Sequence, residues 1–214
     1  MRVPTAFAAV SVATSAVLLL SACGGSDSTT SDKIAGVPTG SPSASAAPTT
    51  TIVAGRPVVT FPADAKDVFE GQHTGDPVKD AVLADNAHWV ESMDDAIFQG
   101  TTKTKALGFY GSGKGLESSL AFVQGALSKG FTWTGEVRFF HRKAAILDDG
   151  SASVIYCSDE SKEFLKHRKT GKIDNTPTTA DSYVLYNTHL KKNQQGVWQT
   201  DNVGSVRGAK QCQP

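Results

Sequence analysis

Apolar residues recur at helical spacing after Asp76-Pro77. Val78, Ala81, Val82, Trp89, Val90, Met93 and Ile97 fall near one face, with Lys79, Asp85, Glu91 and Asp95 opposite. Asp76 suits an N-cap, Pro77 suits the first helical position, and Gly100 ends the run, so the pattern predicts one long amphipathic helix. A second helix is predicted from Leu116 to Ser128 on Leu120, Val123, Gln124 and Leu127, stopping at Lys129-Gly130, with a short helical turn before it near Ala106 to Tyr110.

Beyond Gly130 the period changes from helical to alternating. Gly135 to Leu147 places Val137, Phe139, His141, Lys143, Ala145 and Leu147 on one face, and Arg138, Phe140, Arg142, Ala144 and Ile146 on the other. Asp148-Asp149-Gly150 is a tight turn signal, and Ser151 to Ser158 follows as its partner strand. A polar loop is expected from Ser161 to Ala180. Strands at Tyr183 to Lys191 and Val197 to Val206 close the chain around Gln194-Gln195-Gly196. Helices followed by a run of antiparallel strands make an α+β plan, with N-terminal helices packed in the concave face of a bent antiparallel sheet of about four strands.

The first sixty residues follow neither period. Arg2 precedes a weakly apolar run from Ala6 to Leu20, too short and too rich in alanine and serine for a membrane span. It ends in Leu20-Ser21-Ala22-Cys23, which resembles the bacterial lipobox. That resemblance implies a signal peptide over 1–22, a diacylglyceryl group on the Cys23 thiol, and a chain held at the outer face of the cell membrane by lipid. Two acyl chains anchor stably where one is marginal. Residues 23–60 are mostly Gly, Ser, Thr, Ala and Pro and read as a disordered tether, leaving 61–214 as a single domain.

Charge removes one class of partner. The 214 residues hold 21 basic and 21 acidic side chains, so no net field favours nucleic acid. The five histidines show no metal-ligand spacing, and no cofactor motif is complete. Gly108-Phe109-Tyr110-Gly111-Ser112-Gly113-Lys114-Gly115 nearly matches a phosphate loop, but Gly115 stands where a magnesium-binding hydroxyl is needed, so it reads as an inter-helix loop. Lys166-His167-Arg168-Lys169 with Lys172 reads as a solvated basic loop, and Trp133, Phe139, Phe140 and Trp198 read as core.

The order of elements resembles the nuclear-transport-factor-2-like (cystatin-like) cone, and more narrowly the small secreted actinobacterial lipoproteins that use it. The residues that carry this are Asp80-Ala81-Val82-Leu83-Ala84-Asp85, Val154-Ile155-Tyr156-Cys157-Ser158-Asp159, Trp198-Gln199-Thr200-Asp201 and Gly208-Ala209-Lys210-Gln211-Cys212. The resemblance implies a pocket between helix and sheet, with Trp89, Tyr110, His141, Tyr156 and His189 as candidate lining. Isomerases and dehydratases of that fold use an acid or base there, and Asp85 is a further residue of suitable type; no spacing marks a catalytic set. No Gly-x-Ser-x-Gly elbow marks a serine hydrolase.

With Cys23 assigned to lipid, Cys157 and Cys212 form an even pair in an oxidising compartment and are expected to bond. A reactive thiol or a metal ligand is the competing reading, and no neighbouring His or Cys pattern supports either. The expected function is therefore that of a non-catalytic extracytoplasmic lipoprotein that binds a small apolar or amphipathic ligand. Docking an envelope protein through the outer sheet face is the alternative, and a small isomerase or hydrolase the third.

Overall fold

A computed structural model describes residues 55–214; the expected signal peptide, Cys23 and most of the expected tether lie outside the described residues. Strand β1 (Ala65–Phe69) leads into helices α1 (Pro77–Gln99), α2 (Lys105–Tyr110) and α3 (Gly113–Ser128). Strands β2 (Phe131–Ile146), β3 (Ala152–His167), β4 (Tyr183–Lys192) and β5 (Trp198–Arg207) follow. They form one bent sheet in sequence order, with β1 parallel to β2 and every other pair antiparallel. The helices pack on its concave face, as the α+β plan requires. The sheet has five strands rather than about four, because the short β1 adds to its edge.

Helix α1 starts where the cap signal places it: the Asp76 carboxylate accepts from the Val78 and Lys79 amides at 2.9 and 3.3 Å. Gly100 ends it in the left-handed region at φ 73°, and the Arg168 guanidinium donates to the Ile97 and Phe98 carbonyls of its last turn. Arg168 thus caps a helix and is not part of a free basic loop. Its neighbours Lys166 and His167 pair with Asp64 and Asp174.

The two faces of α1 are less distinct than periodicity predicts. Val78 is 47% exposed, whereas Asp85 and Asp95, expected on the solvent side, are buried. The reason is a second cover. Residues 55–60, assigned to the tether from sequence, lie along the helix: Arg56 pairs with Asp85, and the Thr60 amide donates to Asp95 at 3.0 Å. Asp85 also accepts from the Trp198 amide at 2.8 Å. These carboxylates exchange water for backbone and guanidinium donors, which makes their burial tolerable.

A β-bulge decides which side chains of β2 face the helices. Phe140 pairs with Cys157 and Lys143 with Ile155, so β2 carries one residue more than β3 across this interval. His141 absorbs it at φ 52° and is exposed. The alternation therefore changes phase, and Arg142 turns inward, buried, to donate to the Leu83 carbonyl at 2.6 Å. Arg142 shares the concave face with Phe139, contrary to the unbroken alternation expected.

Strand β3 runs to His167, through the segment expected as a loop, and β2 starts four residues earlier than expected, at Phe131, to match it.

The glycine-rich stretch between α2 and α3 binds protein backbone. A Cβ at Gly115 would overlap the Thr200 carbonyl of β5. We expect Gly115→Ala to lower stability by roughly 1–3 kcal/mol through this overlap. Gly125→Ala, in the same helix with open space at its Cβ, should instead be neutral or stabilise by about 0.4–1 kcal/mol. Thermal unfolding of the two variants compares them directly.

Candidate ligand cavity

A cavity of about 600 Å³ opens between α3, the C-terminal half of α1 and the concave face of the sheet. Its apolar wall comes from Ile97 of α1, Phe122 and Ala126 of α3, Trp133 of β2 and Leu165 of β3. Its polar wall is chiefly acidic. Asp94 faces in from α1, Glu160 and Glu163 from β3, and Tyr186 and Arg207 from β4 and β5, with the segment around Thr176–Ser182 closing one side.

Each acid has a different environment. Asp94 accepts from the Trp133 indole N–H at 2.8 Å, which orients the carboxyl toward the interior. Burial nonetheless pushes Asp94 up to about 7, with nearby Glu91 and Glu160 adding to the rise and the indole opposing it. Glu163 is pushed up to about 8 by burial and by Glu160 and Asp94, against the opposing pull of Arg207. Glu160 is the satisfied member: Arg207 donates to it at 2.6 Å and also to the Asp181 carbonyl at 2.7 Å. Behind Asp94, the carboxyl of Asp67 in β1 has both oxygens sealed from solvent, and when protonated it donates to the Asp94 carboxyl. Burial first and the Asp94 charge second raise it well above the ordinary carboxyl range.

None of the five residues proposed from sequence lines this cavity. Trp89 is buried core and donates its indole N–H to Ser119 at 3.0 Å. Tyr110 is buried on the other side of α1, its hydroxyl 3.4 Å from Arg56. His141 sits exposed on the bulge. Tyr156 comes nearest, stacking beneath Tyr186 with ring centroids 5.0 Å apart. Asp85, the further acid of suitable type, is spent on Arg56 and the Trp198 amide. Trp133, read as core, forms part of the cavity wall.

His189 belongs to a separate cluster. Its Nδ1 meets Asp201 at 2.5 Å and its Nε2 meets Ser151 Oγ at 3.0 Å, the order of a serine–histidine–acid triad. Two facts remove the nucleophile. Ser151 is 4% exposed, and its hydroxyl donates to Asp149 at 2.5 Å, so the proton that an attacking serine must give to histidine points elsewhere. The cluster clasps the β2–β3 turn to β4 and β5.

Cys157 and Cys212 form a disulfide with Cα atoms 5.5 Å apart, on the outer face of the sheet beside Phe140 and Ala209. No helix among the described residues is long and apolar enough to cross a membrane.

No family model and no curated protein matches the chain. Among solved structures, the intermembrane space region of the chloroplast protein ARC6 aligns over 60% of this chain and 97% of its own, at 13% identity and a TM-score of 0.36. ActVI-ORFA from Streptomyces coelicolor aligns over 63% of this chain and 96% of its own, at 16% identity and a TM-score of 0.38. At these values neither likeness carries a functional argument, and the cavity has to be judged on its own chemistry.

Proposed function

We propose that this domain binds a small amphipathic molecule in the cavity between α3 and the concave sheet face, as part of an exported chain held at the membrane by lipid on Cys23. The observation that carries the reading is the cavity's two-sided lining. Ile97, Phe122, Trp133 and Leu165 offer an apolar surface, while Asp94 and Glu163 present carboxyls that no basic side chain neutralises. Concave, largely apolar sites with a few placed polar groups are the usual form of small-molecule pockets.

Binding without turnover is the simpler reading of the same geometry. The partner of Asp94 is an indole, which orients a carboxyl but accepts no proton from it. Docking through the outer sheet face has less support. Ile155 and Val206 stand exposed there among polar neighbours such as Lys143 and Asn187, and scattered apolar residues of this kind are ordinary surface.

Native mass spectrometry of the full-length chain tests the reading. A small molecule should be retained by the wild-type protein and lost from Gly125→Phe, whose new ring has open space beside the cavity. Retention by both proteins, with unchanged affinity, would place the ligand elsewhere.

A further inference from the structure

The cavity's charge inventory narrows the ligand. Acidic groups line it from α1, β3 and the segment before β4: Asp94, Glu160 and Glu163, and Asp181, while Glu91 and Asp67 act on Asp94 from behind the wall. Tyr186 on β4 adds a neutral hydroxyl. The basic groups are used, exposed or distant. Arg207 on β5 is held by Glu160, Lys129 lines the cavity from the end of α3 but is exposed to solvent, and Arg142 on β2 is bound to the Leu83 carbonyl. Glu91 has His88 at 2.8 Å. What remains is Asp94 and Glu163 on the cavity wall, with Asp67 sealed behind Asp94.

We propose that the cavity takes an amphipathic amine, its apolar body against Phe122, Trp133 and Leu165 and its ammonium group against Asp94 and Glu163. This rests on the cavity being the binding site. The unpartnered Glu163 is the independent sign: it lines the cavity with no hydrogen-bond or ion-pair partner among the described residues, and a largely buried carboxyl without a donor is costly unless it keeps a proton or a cation comes near. A divalent metal fits less well, since no group of three ligating side chains among the described residues is placed to hold one. An ammonium group on an apolar body needs no such convergence; it can donate to carboxyls spread over one wall.

The binding step balances as a proton exchange. In the free protein Asp94 and Glu163, raised toward 7 and 8, share protons near neutral pH. When R–NH₃⁺ enters, the O–H bond of a protonated carboxyl breaks, the carboxylate pairs with the ammonium, and the proton leaves to solvent. Affinity for the amine therefore rises with pH through this range, until the amine itself loses its proton near 10.

Calorimetry on the full-length chain with 4-phenylbutylamine, 4-phenylbutanol and 4-phenylbutyrate tests this. The amine should bind about 10-fold or more tighter than the alcohol at pH ~8.5, with a smaller margin at pH ~6, because only the ionised carboxyls attract it. Binding heats in phosphate and Tris should differ, reporting the released proton. Asp94→Asn with Glu163→Gln should remove the preference for the amine and leave the alcohol bound. Equal binding of amine and alcohol at both pH values, abolished for both by Gly125→Phe, overturns the amine and keeps the cavity. Tighter binding of the carboxylate also overturns it. No binding of any probe overturns both readings.

Discussion

Reducing the Cys157–Cys212 bond is expected to lower the free energy of unfolding by roughly 4 kcal/mol, with about 2 as the practical floor. The bond closes a loop across 55 positions of sequence, so its loss releases a large set of unfolded conformations. The native cost adds to this. The C-terminal turn at Lys210–Cys212 packs only on a small outer-face cluster with Phe140, Cys157 and Ala209, flanked by Tyr183 and Leu185. Without the covalent tie those contacts must hold the C-terminus alone. Urea unfolding of the wild-type chain with and without reductant, and of Cys157→Ser with Cys212→Ser, measures the difference. The reduced protein and the double variant should unfold at the same, lower midpoint. A midpoint unchanged by reduction would show that the bond contributes nothing to stability.

Stability should also fall as pH rises from about 5 to 9, by a total on the order of 3 kcal/mol, since one pKa unit corresponds to about 1.4 kcal/mol and the cavity admits some water. Asp94 and Glu163 titrate near 7 and 8 in the fold against ordinary values of 3.8 and 4.5. The folded chain therefore binds more protons than the unfolded chain between these limits. Their contribution is fully present below about pH 4 and is lost as pH climbs through 7 and 8. Asp67 acts in the same direction. Surface carboxylates with partners act in the opposite one: hydrogen bonds from Lys166 and Thr74 hold Asp64 and Asp80 below their usual range. Their effect is complete by pH 5, so the window above it isolates the cavity. Denaturant midpoints across that window should decline for the wild type and more shallowly for Asp94→Asn with Glu163→Gln, in which Asp67 remains. A flat wild-type profile would mean that the cavity carboxyls are as well solvated as surface ones.

The parts of the fold legible in the sequence were those with local signals. Asp76-Pro77 and Gly100 bound α1 because capping is a matter of a few adjacent residues. The turn residues at Asp148-Asp149-Gly150 and Gln194-Gln195-Gly196 fix two hairpins for the same reason. Strand β1 was missed because five residues with two charges in the middle carry no period.

The candidate site was illegible for a related cause. A strand that lines a cavity need not be apolar on its inner side, so Ser161 and Glu163 looked like loop and Glu160 fell between strand and loop. One extra residue of β3 between Asp159 and Lys162 also shifts the register there, which breaks any simple alternation. The bulge at His141 misdirected a pocket candidate and concealed the burial of Arg142. One clue lay in length: a β2 that begins directly after Gly130 needs a partner that runs equally far.

The parallel pairing of β1 has a consequence for the chain during synthesis. Ala65 is matched with Gly135, so β1 emerges from the ribosome well before any strand it can join, with three helices made in between. For that interval it is an orphan edge, open to pairing with other chains. Its makeup blunts this risk: it is only five residues long, with the exposed Lys66 beside the inward-facing charge of Asp67. Short length and charges on both faces are the usual protections of exposed strand edges. The same carboxyl that is sealed inside the finished domain thus guards the nascent chain against aggregation until β2 arrives.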